Sequence, residues 1–280
     1  GSRLIAFVGA KGGVGTSAIT RAAGQAIANK LDQKTIILDA AGGWSYLSVA
    51  MGTEPATTLR AAVRAARDGD DDGFRRMIYN VNERLAILNS GGDPMLETHF
   101  DTGNIEYLID RLAGSYPVVL FDASQAPAAA MRTVVARANA TMVVSTPKLP
   151  ALRGARGLMG EIANLRGGSD KNAGDRTDRQ HGDVELVMNM QGANSAYEVA
   201  QKDIPDLMGT ETALTVPYSP KAFLGAESRN ERIEDSKAGE QVLETLMPLV
   251  RRHIQVSERG RKEPKSGDIF GKFVNWIRQG

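Results

Sequence analysis

A chain of 280 residues with 42% apolar side chains has enough length for one large α/β domain with additions and a full core. Its net charge of +1 gives no broad field for a polyanion, so nucleic acid is not an expected partner, and the absence of cysteine excludes disulfides, thiolate metal sites and cysteine-held iron–sulfur clusters. His99, His181 and His253 lie too far apart in sequence to suggest a metal site or triad, no apolar run approaches the ~18 residues of a membrane span, and no signal peptide is seen, so these bounds describe a soluble intracellular α/β protein.

The leading Gly1-Ser2 reads as an expression scar. "LIAFV" (4–8) is a short apolar run that predicts a buried strand. "GAKGGVGT" follows as a glycine-rich turn, then "SAITRAAGQAIANK" (17–30) as a helix. Strand, glycine loop and helix N-terminus together make a phosphate cradle. Gly12, Gly13 and Gly15 supply the permissive backbone, with Val14 and Thr16 between and after them. The Ser17 hydroxyl, in the first helical turn, is placed to ligate Mg²⁺. The loop departs from G-x-x-x-x-G-K-[ST] twice: Ala10 replaces the first glycine and Thr16 the lysine, while Lys11 puts a lysine elsewhere in the loop. The bland alternative is a tight strand-to-helix turn that binds nothing.

"TIIL" (35–38) predicts a second strand, ending at Asp39, and "LAIL" (85–88) a third. "NIEYLIDRLAG" (104–114) is helical, and "VVLF" (118–121) is a strand ending at Asp122, which is either a Mg²⁺-holding carboxylate or a turn residue. "TMVVS" (141–145), the helix "LRGARGLMGEIANLR" (152–166), "VELVM" (184–188) with Asn189 after it, and "ALTV" (213–216) with Pro217 after it complete the alternation. The polar segment 167–183 reads as a surface loop. Continuous apolar strands alternating with helices predict a doubly wound, mainly parallel sheet with helices on both faces. Residues 257–267 read as a basic linker and 268–280 as a short amphipathic helix with Ile269, Phe270, Phe273, Val274, Trp276 and Ile277 in one arc. From 251 to 280, eight Lys/Arg against three Asp/Glu give +5. Such a tail docks on its own core or dimer partner, lies on a membrane surface, or fills a partner's groove.

"KGGVG" followed by a hydroxyl residue resembles the deviant Walker A loop of the MinD/ParA ATPases. The resemblance covers most of 3–250 and implies a P-loop ATPase-like domain over 3–256 that uses ATP and Mg²⁺. It makes Lys11 the lysine that reaches across a homodimer to the partner's nucleotide. The second lysine, on the β- and γ-phosphates, falls on Thr16. In the family's D-x-D, the first carboxylate is Asp39, and the second, which orients the attacking water, falls on Ala41; Leu47, Met51 and Gly52 fit the L-x-x-x-M-G that follows. Asp122 takes the Walker B position, so Ser17, Asp122 and Asp39 are the implied metal residues. Asn189 is the implied reader of the adenine edge and Pro217 the implied wall of the base pocket, with Ser219 in place of a usual Asp. Thr16 and Ala41 together imply slow or absent hydrolysis and leave no catalytic residue assigned. Arg21 and Lys221 are either stand-ins for the missing lysine or solvated charges.

Within the superfamily, "VGAKGGVGTS" and the segment "GTEPATTLRAAVRAARDGDDDGFRRMIYNVNERLAIL" resemble the TadZ/CpaE proteins of Tad (type IVb) pilus assembly. That resemblance implies positioning of a pilus machine at a cell pole, other pilus-assembly proteins as partners, and a receiver-like domain upstream. An active partition-type ATPase that binds DNA or membrane, and a scaffold that has lost its nucleotide, are the competing readings.

Overall fold

The computed structural model describes residues 1–41, 45–91, 104–167 and 183–254. Nine strands form one sheet. In chain order they are β1 (Arg3–Gly9), β2 (Thr35–Asp39), β3 (Thr57–Thr58), β4 (Tyr79–Asn80), β5 (Leu85–Gly91), β6 (Val118–Asp122), β7 (Ala140–Ser145), β8 (Asp183–Gln191) and β9 (Thr212–Pro217). Their lateral order is β3-β5-β2-β6-β1-β7-β8-β9, with β4 beside β5. All pairings are parallel except β4 with β5.

The helices are α1 (Thr16–Lys30), α2 (Tyr46–Met51), α3 (Leu59–Asp68), α4 (Asp71–Arg76), α5 (Ile105–Ala113), α6 (Ala128–Arg137), α7 (Leu149–Gly167), α8 (Ile204–Met208), α9 (Pro220–Arg229) and α10 (Lys237–His253). They cover both faces of the sheet. Along β1, Leu4, Ala6 and Val8 face the core under α3, α5, α6, α7 and α8. Ile5 and Phe7 face the opposite core, under α1, α9 and α10. A strand buried on both sides needs apolar residues at every position, which is why its sequence shows a run and not an alternation.

All seven expected strands are present, as are the three expected helices with ends moved by at most three residues. The two unexpected strands, β3 and β4, are two residues long each and lie on the outer side of β5. Segment 168–182, the linker 257–267 and the helix expected over 268–280 fall outside the described residues. No helix among the described residues is long and apolar enough to cross a membrane.

Parallel topology places the carboxyl ends of β1, β2, β6, β7 and β8 along one rim. β1 lies between β6 and β7, where the connections diverge, and a crevice opens at such a point.

Candidate functional site

The loop between β1 and α1 shapes a cleft of about 750 Å³ on that rim. Gly13 and Gly15 hold left-handed φ values of 80° and 85°, which only glycine adopts without strain. A Cβ added at Gly12 or Gly13 would stand in open space, so the backbone there is bare toward solvent and accessible to a ligand. Gly15 caps α1 and is closely covered: a Cβ there would lie 2.4 Å from Asn189 Nδ2. Lys11 is exposed at the mouth of the cleft.

Beneath the loop, the Ser17 hydroxyl donates to Asp122 Oδ2 at 2.6 Å and lies 2.9 Å from Ser124 Oγ. The Ser124 amide donates to Asp122 Oδ1 at 3.0 Å. Asp122 is 1% exposed, and burial raises its pKa against the opposing hydrogen bonds from Ser17 and Ser124. A hydroxyl and a carboxylate in contact below a bare glycine backbone fit Mg²⁺, which takes few protein ligands and keeps water or phosphate oxygens for the rest. Among the described residues, no group of three or more His, Cys, Asp or Glu makes a further metal cage.

A family model described as cellulose biosynthesis protein BcsQ matches residues 2–153, more than half of the chain. The chain belongs to this family. A septum site-determining protein MinD from Emiliania huxleyi is 23% identical over 241 residues, covering 84% of this chain and 82% of its own. The fold matches a ParA family ATPase from Chlorobium tepidum TLS with a TM-score of 0.74 at 17% identity, covering 89% of this chain and 97% of that one. It also matches MinD of Pyrococcus horikoshii OT3, solved with Mg-ADP, with a TM-score of 0.70 at 17% identity, covering 89% and 96%.

The residues named from the sequence separate into three groups. Lys11, Gly12, Gly13, Val14, Gly15, Thr16, Ser17, Asn189 and Pro217 all border the one cleft. Thr16 is nevertheless 4% exposed, and its hydroxyl rests against Gly9, where a Cβ would meet it at 2.5 Å. This side chain is tucked under the loop. Asn189 is held close to the loop, its Nδ2 donating to Val14 O at 2.9 Å. A bulge between β8 and β9 and the left-handed φ of 56° at Met190 accompany this approach. Asn189 therefore braces the loop, and the donor face of its amide is engaged.

Asp39 sits apart from the cleft lining. It is fully buried and accepts from Asn89 Nδ2 at 2.8 Å, from the Ala41 amide at 3.1 Å and from the Ser45 hydroxyl. Burial pushes its pKa up to about 6, against the hydrogen bonds from Ser45 and Asn89; the nearby Asp122 charge adds to the rise. With three protein donors on its two oxygens, its role here is to tie the segment after β2 to β5.

Arg21 and Lys221 do not border the cleft. Lys221 is exposed on α9. Arg21 is 2% exposed, with Nη2 donating to Glu231 O at 3.2 Å and Nε and Nη1 buried without a partner. Burial lowers its pKa, while Tyr46, Glu234 and Glu227 oppose that shift. The arginine points away from the loop because its helix face turns toward the chain after α9. Ser124, Gln125, Tyr46 and Glu227, which no motif singles out, also border the cleft. The run "DASQAP" after β6 was the available signal for the first two.

Proposed function

We propose that this chain binds ATP with Mg²⁺, dimerises around the nucleotide and marks a position for an envelope assembly machine, turning its nucleotide over slowly. The Ser17–Asp122 contact at 2.6 Å below the bare Gly12–Gly13 backbone carries the reading. Ser17 would hold Mg²⁺ directly, with Asp122 orienting its shell. The ion supplies charge neutralisation at the β- and γ-phosphates. Pro217 and Asn189 border the same cleft and would line the base. That MinD of Pyrococcus horikoshii was solved with Mg-ADP supports the choice of ligand.

Slow turnover follows from two side chains. Thr16 brings no cation to the phosphates, and Ala41 neither accepts a proton nor orients water. A long-lived bound state suits a landmark better than an oscillator. Lys11, exposed at the cleft mouth, would reach the nucleotide held by a second copy.

The Tad pilus is our first choice of machine, from the segment 52–88. The match to the BcsQ family favours a second reading, in which the machine is one for cellulose export. Deleting the gene and scoring pili and cellulose separates them.

The test of nucleotide binding is to load the protein with ATP and Mg²⁺, desalt it and identify the released nucleotide. Mostly intact ATP supports the landmark. Complete conversion to ADP would move the function to a cycling partition-type ATPase acting on DNA or a membrane, and a protein with no measurable affinity for ATP would be a scaffold. Lys11→Ala should retain ATP and lose the ATP-dependent dimer by light scattering; an unchanged dimer fraction removes Lys11 from that role.

A further inference from the structure

The residue that conventionally orients attacking water is missing at Ala41, yet the cleft contains another group with the right chemistry. Gln125 borders it, three residues beyond Asp122 and next to Ser124, whose hydroxyl touches Ser17. Its side chain is exposed, and it makes no side-chain hydrogen bond among the described residues. The carboxylate and hydroxyls around it are already paired: Asp122 accepts from Ser17 and from the Ser124 amide. Along the lining stretch 123–126 that follows Asp122, the uncommitted polar side chain is therefore a carboxamide, with one acceptor and two donor positions.

We infer that Gln125 is a catalytic residue for the slow hydrolysis, holding the attacking water against the terminal phosphate. This rests on the proposed binding of ATP with Mg²⁺. A carboxamide can accept a hydrogen bond from water through Oε1 and donate to a phosphoryl oxygen through Nε2, fixing the water in line without being a base. The water oxygen bonds to the γ-phosphorus as the bond from that phosphorus to the β-phosphate oxygen breaks. ADP leaves with the electron pair, and the water proton ends on the released phosphate. Because the transition state spreads charge over the phosphoryl oxygens, positioning without a general base gives turnover, though slow turnover. The placement would give a chain lacking a carboxylate at 41 a route to hydrolysis.

The test compares two ligands on the full chain, Mg·ADP with aluminium fluoride, which mimics the flat transferring phosphoryl group, and a Mg-bound ATP analogue with a β,γ-imido bridge. Gln125→Ala should bind the imido analogue within about twofold of the parent and lose at least about tenfold in affinity for the aluminium fluoride complex. Gln125→Glu, of equal size, should show the same selective loss, since its charge repels the phosphoryl oxygens. Bound ATP should decay to ADP more slowly in both variants. Equal affinity changes for the two ligands, no change for either, or a parent protein that gains nothing from aluminium fluoride over ADP alone would each overturn the assignment. Failure of the parent to bind the imido analogue rejects the nucleotide reading itself and is distinct from those outcomes.

Discussion

Asp39 and Asp122 stand opposite each other in the register of β2 and β6, two buried carboxylates on neighbouring strands. Burial raises both above the ordinary carboxylate range, Asp39 to about 6. A folded-state pKa above the unfolded value means that the native state binds its proton more tightly. Stability is then greatest below the unfolded pKa and falls as pH rises through the folded one. For Asp39 alone the loss from about pH 4 to above pH 6 amounts to ~3 kcal/mol. Urea denaturation across this range should show that slope, and Asp39→Asn should flatten it; a variant with the parent's slope would place the titration elsewhere. The loop glycines, Ser17 and Asp122 were legible because a motif fixes both residue type and spacing. Asn189 was legible only as a strand-end amide, since sequence does not say that its donor turns back to Val14. Arg21 was unreadable for the same reason: an arginine on a helix is usually solvated, and only the packing of the chain at Glu231 over α1 buries it.

Among the elements, α10 contains the clearest local conflict. It lays Val242, Leu243, Leu246, Met247, Leu249 and Val250 into the core beside α1, with Lys30 of α1 paired to Glu240 and Glu244. Within it stands Pro248, exposed, which cannot donate to the carbonyl of residue 244 and crowds that turn. Pro248→Ala restores the donor at a solvated position and should stabilise the chain by about 1–3 kcal/mol, partly offset by a freer unfolded state. A melting temperature unchanged or lowered would show that the local turn has adapted to the ring. The seven longer strands were readable because each contains an apolar run with a marked end, although β9, read as buried, is mostly only partly so. β3 and β4 were not, because two residues have no period and gain their pairing only from the edge of β5.

On the scale of the molecule, the order β3-β5-β2-β6-β1-β7-β8-β9 sets the first strand of the chain near the middle of the sheet. Its partners are distant: Arg3 pairs with Val118 and Ile5 with Ala140. A fragment ending at residue 117 thus lacks both neighbours of β1, which are β6 and β7, and β2 also leans on the missing β6. It should show no cooperative urea transition by circular dichroism; a two-state transition would mean that β2 and β5 suffice as a folding unit. The same arrangement bears on how the protein is made. After a ribosome releases "LIAFV", more than a hundred residues must follow before either flanking strand exists. For several seconds at ordinary translation speeds the nascent chain holds its most central strand unpaired and apolar in water. The segment that ends as the floor of the cleft thus spends its first seconds as a bare apolar strand, the kind of surface that a chaperone covers.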